Sequence, residues 1–229
     1  MIVEEPPYDL VVLFADADAQ EFVKALVERG PSQGCMRAVR WRPLRDPRRD
    51  ASTWRNAAGT LGPFISGGAK LVVIWDHEGS GREDWSPEDV ERDVKVSLVA
   101  AGASEQAIEA VALVPELEGV LVPAWDRVMS LLAEQRECQV PQEETLLARL
   151  RANLGQDAPE AIEVALRSRP KEVLEAAVDV LKLRLHPKLY GRLANELSIP
   201  RIKYGAAAKR LSTRLEEWFP PTSAHRGDR

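Results

Sequence analysis

Three runs of apolar residues, each followed by acidic side chains, stand out in the pattern of the chain. The runs cover residues 10–15, 71–75 and 110–114. They are too short for independent helices and contain β-branched residues, which is typical of strands buried on both faces of a sheet. Stretches with apolar residues at helical spacing separate them. The pattern therefore predicts an α/β protein with a mostly parallel, Rossmann-like sheet flanked by helices.

Weaker signals fill the segments between these runs. Ser86, followed by Pro87 and two acids, is a well-formed helix start, because serine caps the first turn and proline is favoured in it. Pro123 is expected to interrupt or delay a helix over 119–133. The remaining predictions for this half are helices over 20–29 and 51–58, a short strand over 36–41 and a glycine-rich approach to the central strand over 62–68.

The character of the chain changes at Pro141, after which no β-branched runs occur. We expect helices that begin at Asp157 and Pro170, a short helix after Pro187 and a last helix over 204–218. The resulting division is an α/β domain over 1–140, an all-helical region over 141–221 that packs on it, and a disordered tail over 222–229.

Acids follow each of the long runs, at Asp16, at Asp76 with Glu78, and at Glu116 with Glu118. A parallel sheet presents its functional groups at the carboxyl ends of its strands, so these carboxylates are expected to converge. Asp76 and Glu78, two residues apart in an extended chain, would lie on one side of the strand end, as binding of Mg²⁺ or Mn²⁺ requires. The alternative is a polar strand end with no further role.

The net charge of −5 conceals a segregation of charge along the chain. Acids dominate residues 76–137, whereas bases dominate residues 182–214, which favours a surface that holds the phosphates of DNA or RNA. A solvated helical surface is the commoner explanation of such bases. The candidate nucleic-acid contacts in this tract are Lys182, Lys188, Arg192, Arg201 and Lys203.

Composition excludes several classes of protein. No apolar stretch approaches the ~20 residues that span a bilayer, so no membrane partner is expected. The first residues hold acids and prolines where a signal peptide needs basic and apolar segments, which indicates a cytoplasmic location. Cys35 and Cys138 are far apart, and His77, His186 and His225 form no zinc pattern.

The order of these motifs resembles a Toprim-like domain, in particular the small stand-alone proteins related to overcoming-lysogenization-defect nucleases of bacterial defence loci. More distantly, the chain resembles a component of a methylation-associated defence system. The resemblance rests on the first strand ending at Asp16, on the central Asp76-His77-Glu78, on Pro115-Glu116-Leu117-Glu118 before a helix, and on the helical Arg169-Pro170-Lys171-Glu172 and Lys188-Leu189-Tyr190.

This resemblance implies a Mg²⁺-dependent nuclease, or a nuclease-like subunit of an anti-phage defence system with other defence proteins as partners. In that family a glutamate after the first strand acts as acid or base, and an Asp-x-Asp pair binds magnesium. Asp16 takes the place of the glutamate and Asp76-x-Glu78 that of the pair, so these three residues are implied as catalytic. With Glu118 they are the expected ligands of one or two Mg²⁺ ions.

Two other functions stay open at this point. A catalytically degenerate Toprim-like scaffold or sensor would dock on partner proteins through the helical region, and the altered acids favour it. A haloacid-dehalogenase-type phosphatase would use Asp16 and Asp18 as nucleophile and acid. Thr53 and Lys70 would then stand in for the hydroxyl and the lysine of that family.

Overall fold

A four-stranded parallel sheet forms the centre of the molecule. The computed structural model describes residues 7–197 and 206–222. The strands are β1 (Leu10–Phe14), β2 (Trp41–Arg45), β3 (Lys70–Asp76) and β4 (Ile108–Leu113), and they lie in the order β2-β1-β3-β4. The predicted parallel sheet, with the three apolar strands side by side, is confirmed.

Four helices accompany the sheet in the first half of the chain, and the cap of the last one follows from the sequence. The Ser86 hydroxyl accepts a hydrogen bond from the Asp89 N–H at 3.1 Å, and Pro87 opens the helix, as predicted. The four helices are α1 (Ala17–Arg29), α2 (Asp50–Thr53), α3 (Ala57–Ile65) and α4 (Pro87–Ala100).

After β4 the described chain is helical, as predicted. Two short 3₁₀ turns, Leu117–Val120 and Val122–Ala124, precede the first helix, so Pro123 does delay the helix start. None of the helices that the structure describes is long and apolar enough to cross a membrane. The helices are α5 (Trp125–Gln135), α6 (Glu143–Leu154), α7 (Ile162–Ser168), α8 (Pro170–Val180), α9 (Pro187–Glu196) and α10 (Ala206–Trp218).

Both faces of the sheet are buried, which explains the continuous apolar strands. On one face Val12, Phe14 and Ile74 belong to a cluster that includes α1 and the C-terminal helices. On the other face Leu13 and Val73 pack in a second cluster with α3 and α4. Since successive residues of a strand point to opposite faces, each strand contributes to both clusters. The expectation of helical cover on both faces is confirmed.

Two of the predicted elements are wrong. The strand expected over 36–41 lies at Trp41–Arg45 instead, because β2 is an edge strand with exposed arginines at positions 42 and 45 and lacks a continuous apolar run. Pro43 is tolerated at that edge. The helix expected over 51–58 is split into α2 and α3, and α3 continues through Pro63 into the glycine-rich segment. In addition, α7 begins at Ile162 rather than near Asp157.

The strand order reverses between β1 and β3, and this fixes where a site can form. The chain leaves β1 through α1 on one face to reach β2, and it passes back over β1 through α2 and α3 on the other face to reach β3. Adjacent connections therefore diverge from the carboxyl ends of β1 and β3. The crevice that they leave is the usual ligand position in open parallel sheets.

Candidate functional site

Asp16 and Asp76 lie next to each other at this crevice. Phe14 of β1 pairs with Ile74 of β3 as the last pair of the two strands, and Asp16 and Asp76 each follow two residues later. The charge of Asp16 acts on Asp76, so the two carboxyl groups are neighbours. Asp16 caps α1, since its Oδ1 accepts a hydrogen bond from the Ala19 N–H at 2.8 Å. Asp76 is the last residue of β3. The sequence thus ends two neighbouring strands with carboxylates at the point where the chain connections separate.

Asp76 joins the loops that follow β2 and β4. Its backbone N–H donates to the Asp50 Oδ1 at 2.9 Å, and Asp50 is the first residue of α2. Its own Oδ1 accepts from the Leu117 N–H at 3.0 Å. The acids after β2 and β3 are therefore held together by a backbone hydrogen bond, and a second one fixes the segment after β4 to the same place.

The electrostatics of these residues are unusual. Burial raises the pKa of Asp76 to about 9, and the nearby carboxylates of Asp50, Asp16, Glu118 and Glu116 add to the effect. Burial likewise raises the pKa of Asp50. A carboxyl group with such a pKa keeps its proton at neutral pH unless a cation balances its charge.

Asp18, in the first turn of α1, belongs to the same group of acids. Burial raises the pKa of Asp18 to about 6, and the charge of Asp16 raises it further against the opposing effects of Lys171, His186 and Arg49. The Asp16-Ala17-Asp18 segment therefore places two coupled carboxylates at the amino end of a helix, where the helix dipole favours negative charge.

Glu116 and Glu118 follow β4 and meet two side chains from the helical region. The Lys171 Nζ of α8 donates to Glu116 Oε2 at 2.9 Å. The Tyr190 hydroxyl of α9 donates to Glu118 Oε1. Burial raises the pKa of Glu118 to about 7, which the Tyr190 hydrogen bond partly opposes. Burial also raises the pKa of Glu116 against the opposing charge of Lys171.

Negative charge is in excess at this position. Lys171 is paired directly with one acid, and its side chain stays 47% exposed at the rim. Arg49 and His186 act on Asp18 through space. Within residues 7–197 and 206–222, the cations that act on these buried and half-buried carboxylates are therefore fewer than the carboxylates themselves. The group, called the acidic cluster below, consists of Asp16, Asp18, Asp50, Asp76, Glu116 and Glu118.

Three of the four predicted metal ligands, Asp16, Asp76 and Glu118, come together in the acidic cluster. Glu78 differs, because β3 ends at Asp76 and the chain then turns, with the Ser80 N–H bonded to the His77 carbonyl at 3.3 Å. The extended i, i+2 arrangement is therefore lost. Glu78 is exposed, and its charge acts on Glu116 rather than ranking among the main influences on Asp76.

Sequence reasoning missed Asp50 and Lys171 as members of the site. Asp50 was hidden by the misplaced second strand: once β2 ends at Arg45, Asp46 and Asp50 follow a strand end just as the other acids do. Lys171 comes from α8, which is 55 residues beyond its partner Glu116. No local pattern relates positions so far apart.

The types of side chain in the acidic cluster suit a metal ion, but their present arrangement does not form a metal site. A surplus of buried carboxylate oxygens fits a hard divalent cation, which neutralises them and prefers such ligands. As the side chains stand, however, no three His, Cys, Asp or Glu residues within 7–197 and 206–222 are arranged to hold a metal ion. Binding of a cation therefore requires some of these side chains to rotate. Without a cation, the raised pKa of Asp76 keeps its carboxyl group protonated at neutral pH.

The predicted nucleic-acid contacts fall into two groups. Lys182, Lys188 and Arg192 are exposed, whereas Arg201 and Lys203 lie outside the described residues. Lys188 and Arg192 share the outer side of α9, because Leu189 and Leu193 are buried in the core as predicted.

Lys70 and Thr53 would have to serve a phosphatase, but Lys70 lies at the other end of β3 from the acidic cluster and the Thr53 hydroxyl is already bonded. Lys70 begins β3 and Asp76 ends it, so they are about 20 Å apart at ~3.3 Å per residue. The Lys70 Nζ instead stacks over Trp218, 5.6 Å from the ring centroid. Thr53 is fully buried, and its hydroxyl donates to the Arg49 carbonyl at 2.9 Å.

Comparison with known proteins adds no relative to this picture. No protein-family model, no curated protein and no solved structure matches the chain.

Proposed function

We propose that the protein is a divalent-metal-dependent phosphodiesterase that acts on nucleic acid. The observation that supports this proposal is the excess of buried carboxylates at the crevice between β1 and β3, with a pKa of about 9 at Asp76. Structural carboxylates are normally paired with cations, so a cluster of acids at a ligand crevice whose mutual charge raises the pKa of its central member is a functional-site candidate.

In this proposal each part of the cluster has a separate role. Asp16, Asp76 and Glu118 would hold Mg²⁺ or Mn²⁺, and Asp50 would keep Asp76 in place through its backbone hydrogen bond. The cation would neutralise the phosphate and activate a water molecule. Lys171, half-exposed at the rim, has three N–H donors, and those that Glu116 does not accept would bind a phosphate oxygen of the substrate.

The nucleic-acid substrate is supported by the exposed bases of α9 and of the turn before it. Tyr190 of this helix reaches Glu118, and His186 just before it acts on the charge of Asp18, so the amino end of α9 borders the acidic cluster. Lys188 and Arg192, on the outer side of the same helix, would contact phosphates of a strand that enters the crevice, and Lys182 would extend this contact.

Membership of the Toprim-like group, with a role in anti-phage defence, is part of the same proposal. Acids that follow β1, β3 and β4 occupy one end of a parallel sheet, as that family's motifs require. Two departures speak for altered chemistry. Asp16 is one methylene shorter than a glutamate, and Glu78 is exposed where the family has a ligand.

A cleavage assay tests the proposal. Labelled single-stranded DNA, duplex DNA and RNA are incubated with the protein in Mg²⁺ or Mn²⁺, with EDTA as the blank. We expect cleavage of at least one substrate, and a loss of about 100-fold or more in Asp76→Asn because the central ligand is removed. Glu88→Gln, an exposed acid on α4, is the matched control and should keep full activity. No cleavage under any condition, or undiminished cleavage by Asp76→Asn, would overturn it.

A non-catalytic scaffold is the second candidate, and a specific observation favours it. Lys171 and Tyr190 bond to Glu116 and Glu118, so two acids already serve to attach the helical region to the sheet. Under this alternative Mg²⁺ leaves the melting temperature unchanged, whereas Lys171→Met lowers it by disrupting that attachment. The combination of no cleavage with this melting behaviour would identify the scaffold.

A further inference from the structure

A ladder of alternating arginines and tryptophans covers the loop after β3. The Arg55 guanidinium lies 4.8 Å from the Trp54 ring centroid, and the Arg82 guanidinium lies 5.2 Å from the same ring. Arg82 also stacks 3.9 Å from the centroid of Trp85. Each contact lies within the range of a cation–π interaction. The four side chains thus form one continuous stack, called the Arg–Trp ladder below.

The ladder is anchored at Trp54 and open to solvent at Trp85. Trp54 is 8% exposed, and its Nε1–H donates to the Ser80 carbonyl at 3.0 Å. Trp85, at the end of the ladder, is 37% exposed, which is more than any other tryptophan in the described part of the chain. Gly79 and Gly81, with φ of +79° and +72°, give the intervening loop the turns that bring Arg82 between the two rings.

The position of the ladder relates it to the acidic cluster. Trp85 belongs to the loop that leaves β3 directly after Asp76, and Trp54 follows Asp50 by one helical turn. Asp50 and Asp76 are joined by a hydrogen bond of 2.9 Å, so both segments that build the ladder start from the same place. The ladder therefore borders the crevice at the carboxyl end of the sheet.

The chemistry of the ladder selects a ligand with a flat ring and a negative charge. Arg82 fixes the plane of Trp85, so an aromatic ligand can stack on the exposed part of a ring that is already ordered. Arg55 is exposed, and Arg82 is partly exposed beside it, so both can hold a phosphate. Glu83 is turned back to accept the Gly81 N–H at 3.0 Å. A nucleotide unit of a single strand offers both features together.

We propose that the Arg–Trp ladder binds single-stranded nucleic acid, with one base stacked on Trp85 and adjacent phosphates held by Arg55 and Arg82. In a duplex the bases are paired and stacked on each other, so their faces are not accessible to Trp85. This inference rests on the proposed function and narrows its substrate to an unpaired strand. The basic side chains of α9 would contact phosphates alone, whereas the ladder would also contact a nucleobase.

Binding without cleavage tests the ladder separately from catalysis. Fluorescence anisotropy is measured in EDTA at low salt, with a labelled oligothymidylate, an oligouridylate, an abasic strand of equal length and a duplex. Wild type should prefer the base-bearing single strands to the other two. Trp85→Ala should weaken oligothymidylate binding about 10-fold, as loss of one stacked base does. It should leave binding of the abasic strand unchanged.

Two further variants complete the design. Trp85→Phe keeps an aromatic face and should recover most of the lost affinity. Trp218→Ala is the matched control, because Trp218 also stacks against cations, Lys70 and Arg214, but lies near Gln106 at the amino end of the sheet. Its oligonucleotide binding should equal that of wild type.

The outcomes separate the two proposals. Base-dependent binding that requires Trp85 supports the ladder, whether or not the protein cleaves any substrate. Equal binding of abasic and base-bearing strands, wild-type affinity in Trp85→Ala, or no binding of any oligonucleotide would overturn it. Loss of cleavage in Asp76→Asn with unchanged binding in EDTA would support both proposals at once.

Discussion

Two groups of buried carboxylates occupy this molecule, and they differ in how their charge is balanced. The acidic cluster lies at the carboxyl end of the sheet, where the described part of the chain brings Lys171 as the one cation paired directly with an acid of the cluster. The second group, called the edge network below, lies beside the outer strand β4. It consists of Glu91, Glu109, Lys95, Arg210 and Arg214.

In the edge network each acid has cationic partners. Glu109 is 1% exposed, and its carboxylate accepts from the Lys95 Nζ at 3.1 Å and from the Arg214 Nε at 2.9 Å. Glu91 accepts from the Ala112 N–H at 2.8 Å and pairs with Arg210. Because both arginines come from α10, the network attaches that helix to the edge of the sheet. Its role is structural.

The comparison shows that burial of a carboxylate does not by itself indicate function. Glu109 is more deeply buried than Asp76, yet its charge is neutralised by side chains from two helices. At Asp76 the strongest charge effects come from other acids, and they raise its pKa. A ligand or a bound proton must supply the missing positive charge, which is a requirement that the edge network lacks.

The largest expected effect is the loss of stability that follows when the edge network is disrupted. Glu109→Gln removes the negative charge that holds Lys95 and Arg214 and weakens both hydrogen bonds, so it should lower the free energy of unfolding by about 2 kcal/mol, the usual contribution of a hydrogen bond to a charged group. Urea denaturation followed by circular dichroism measures it. Glu105→Gln, an exposed acid just before β4, is the control and should change stability by less than about 0.5 kcal/mol.

In the acidic cluster, removal of a carboxyl group is expected to raise the free energy of unfolding instead of lowering it. The pKa of Asp76 is about 9 in the folded protein against an ordinary value of 3.8, so the folded state binds more protons and stability falls as pH rises between those values. Asp76→Asn removes this loss. Without divalent metal it should be more stable than wild type at pH 8, and the difference should shrink towards zero as the pH falls to about 4.

Thermal melts across that pH range, with EDTA present, give the measurement. Asp93→Asn, at an exposed position of α4, should show no pH-dependent gain. If Asp76→Asn is less stable than wild type at every pH, the two groups of acids have the same structural role and the comparison fails.

A divalent cation should stabilise the protein through the acidic cluster and not through the edge network. Magnesium at about five times its dissociation constant should stabilise the wild type by about 1 kcal/mol, because it binds the folded state. Asp76→Asn should lose this response, whereas Glu109→Gln should keep it despite its lower starting stability. An identical response in wild type and Asp76→Asn would place the cation elsewhere.

The smallest effect concerns the exposed bases of α9, which leave folding unchanged. Reversing Lys188 and Arg192 to glutamate should reduce the slope of log K against log salt for an oligonucleotide by about one unit per lost phosphate contact. Titrations at several salt concentrations measure the slope. Arg151→Glu, on the exposed side of α6, should leave it unchanged, and a change of equal size there would indicate nonspecific charge.

Most of the sheet was predictable because its strands are buried on both faces. The runs at β1, β3 and β4 are continuous and apolar, and their acids mark the strand ends. The edge strand β2 was not predictable from the same rule, since one side of it faces solvent and Arg42 and Arg45 interrupt the pattern. That single error removed Asp50 from the expected site.

The site itself was predictable to the extent that it follows the strand ends. The convergence of Asp16, Asp76 and Glu118 was expected in this way, and their role as metal ligands stays a prediction. Glu78 was wrongly assumed to continue the strand, because the chain turns immediately after Asp76. Lys171 depends on how the helical region packs against the sheet, and no spacing within the sequence encodes that packing.

The most direct test of the acidic cluster is a pH titration of the carboxyl carbons by NMR, with and without magnesium. We expect one resonance that titrates with a midpoint near the pKa of about 9 of the buried Asp76 and that is missing in Asp76→Asn. Millimolar Mg²⁺ should lower that midpoint, because a cation stabilises the ionised form. Carboxyl groups that all titrate at ordinary values, or a high midpoint that Mg²⁺ does not move, would contradict this expectation.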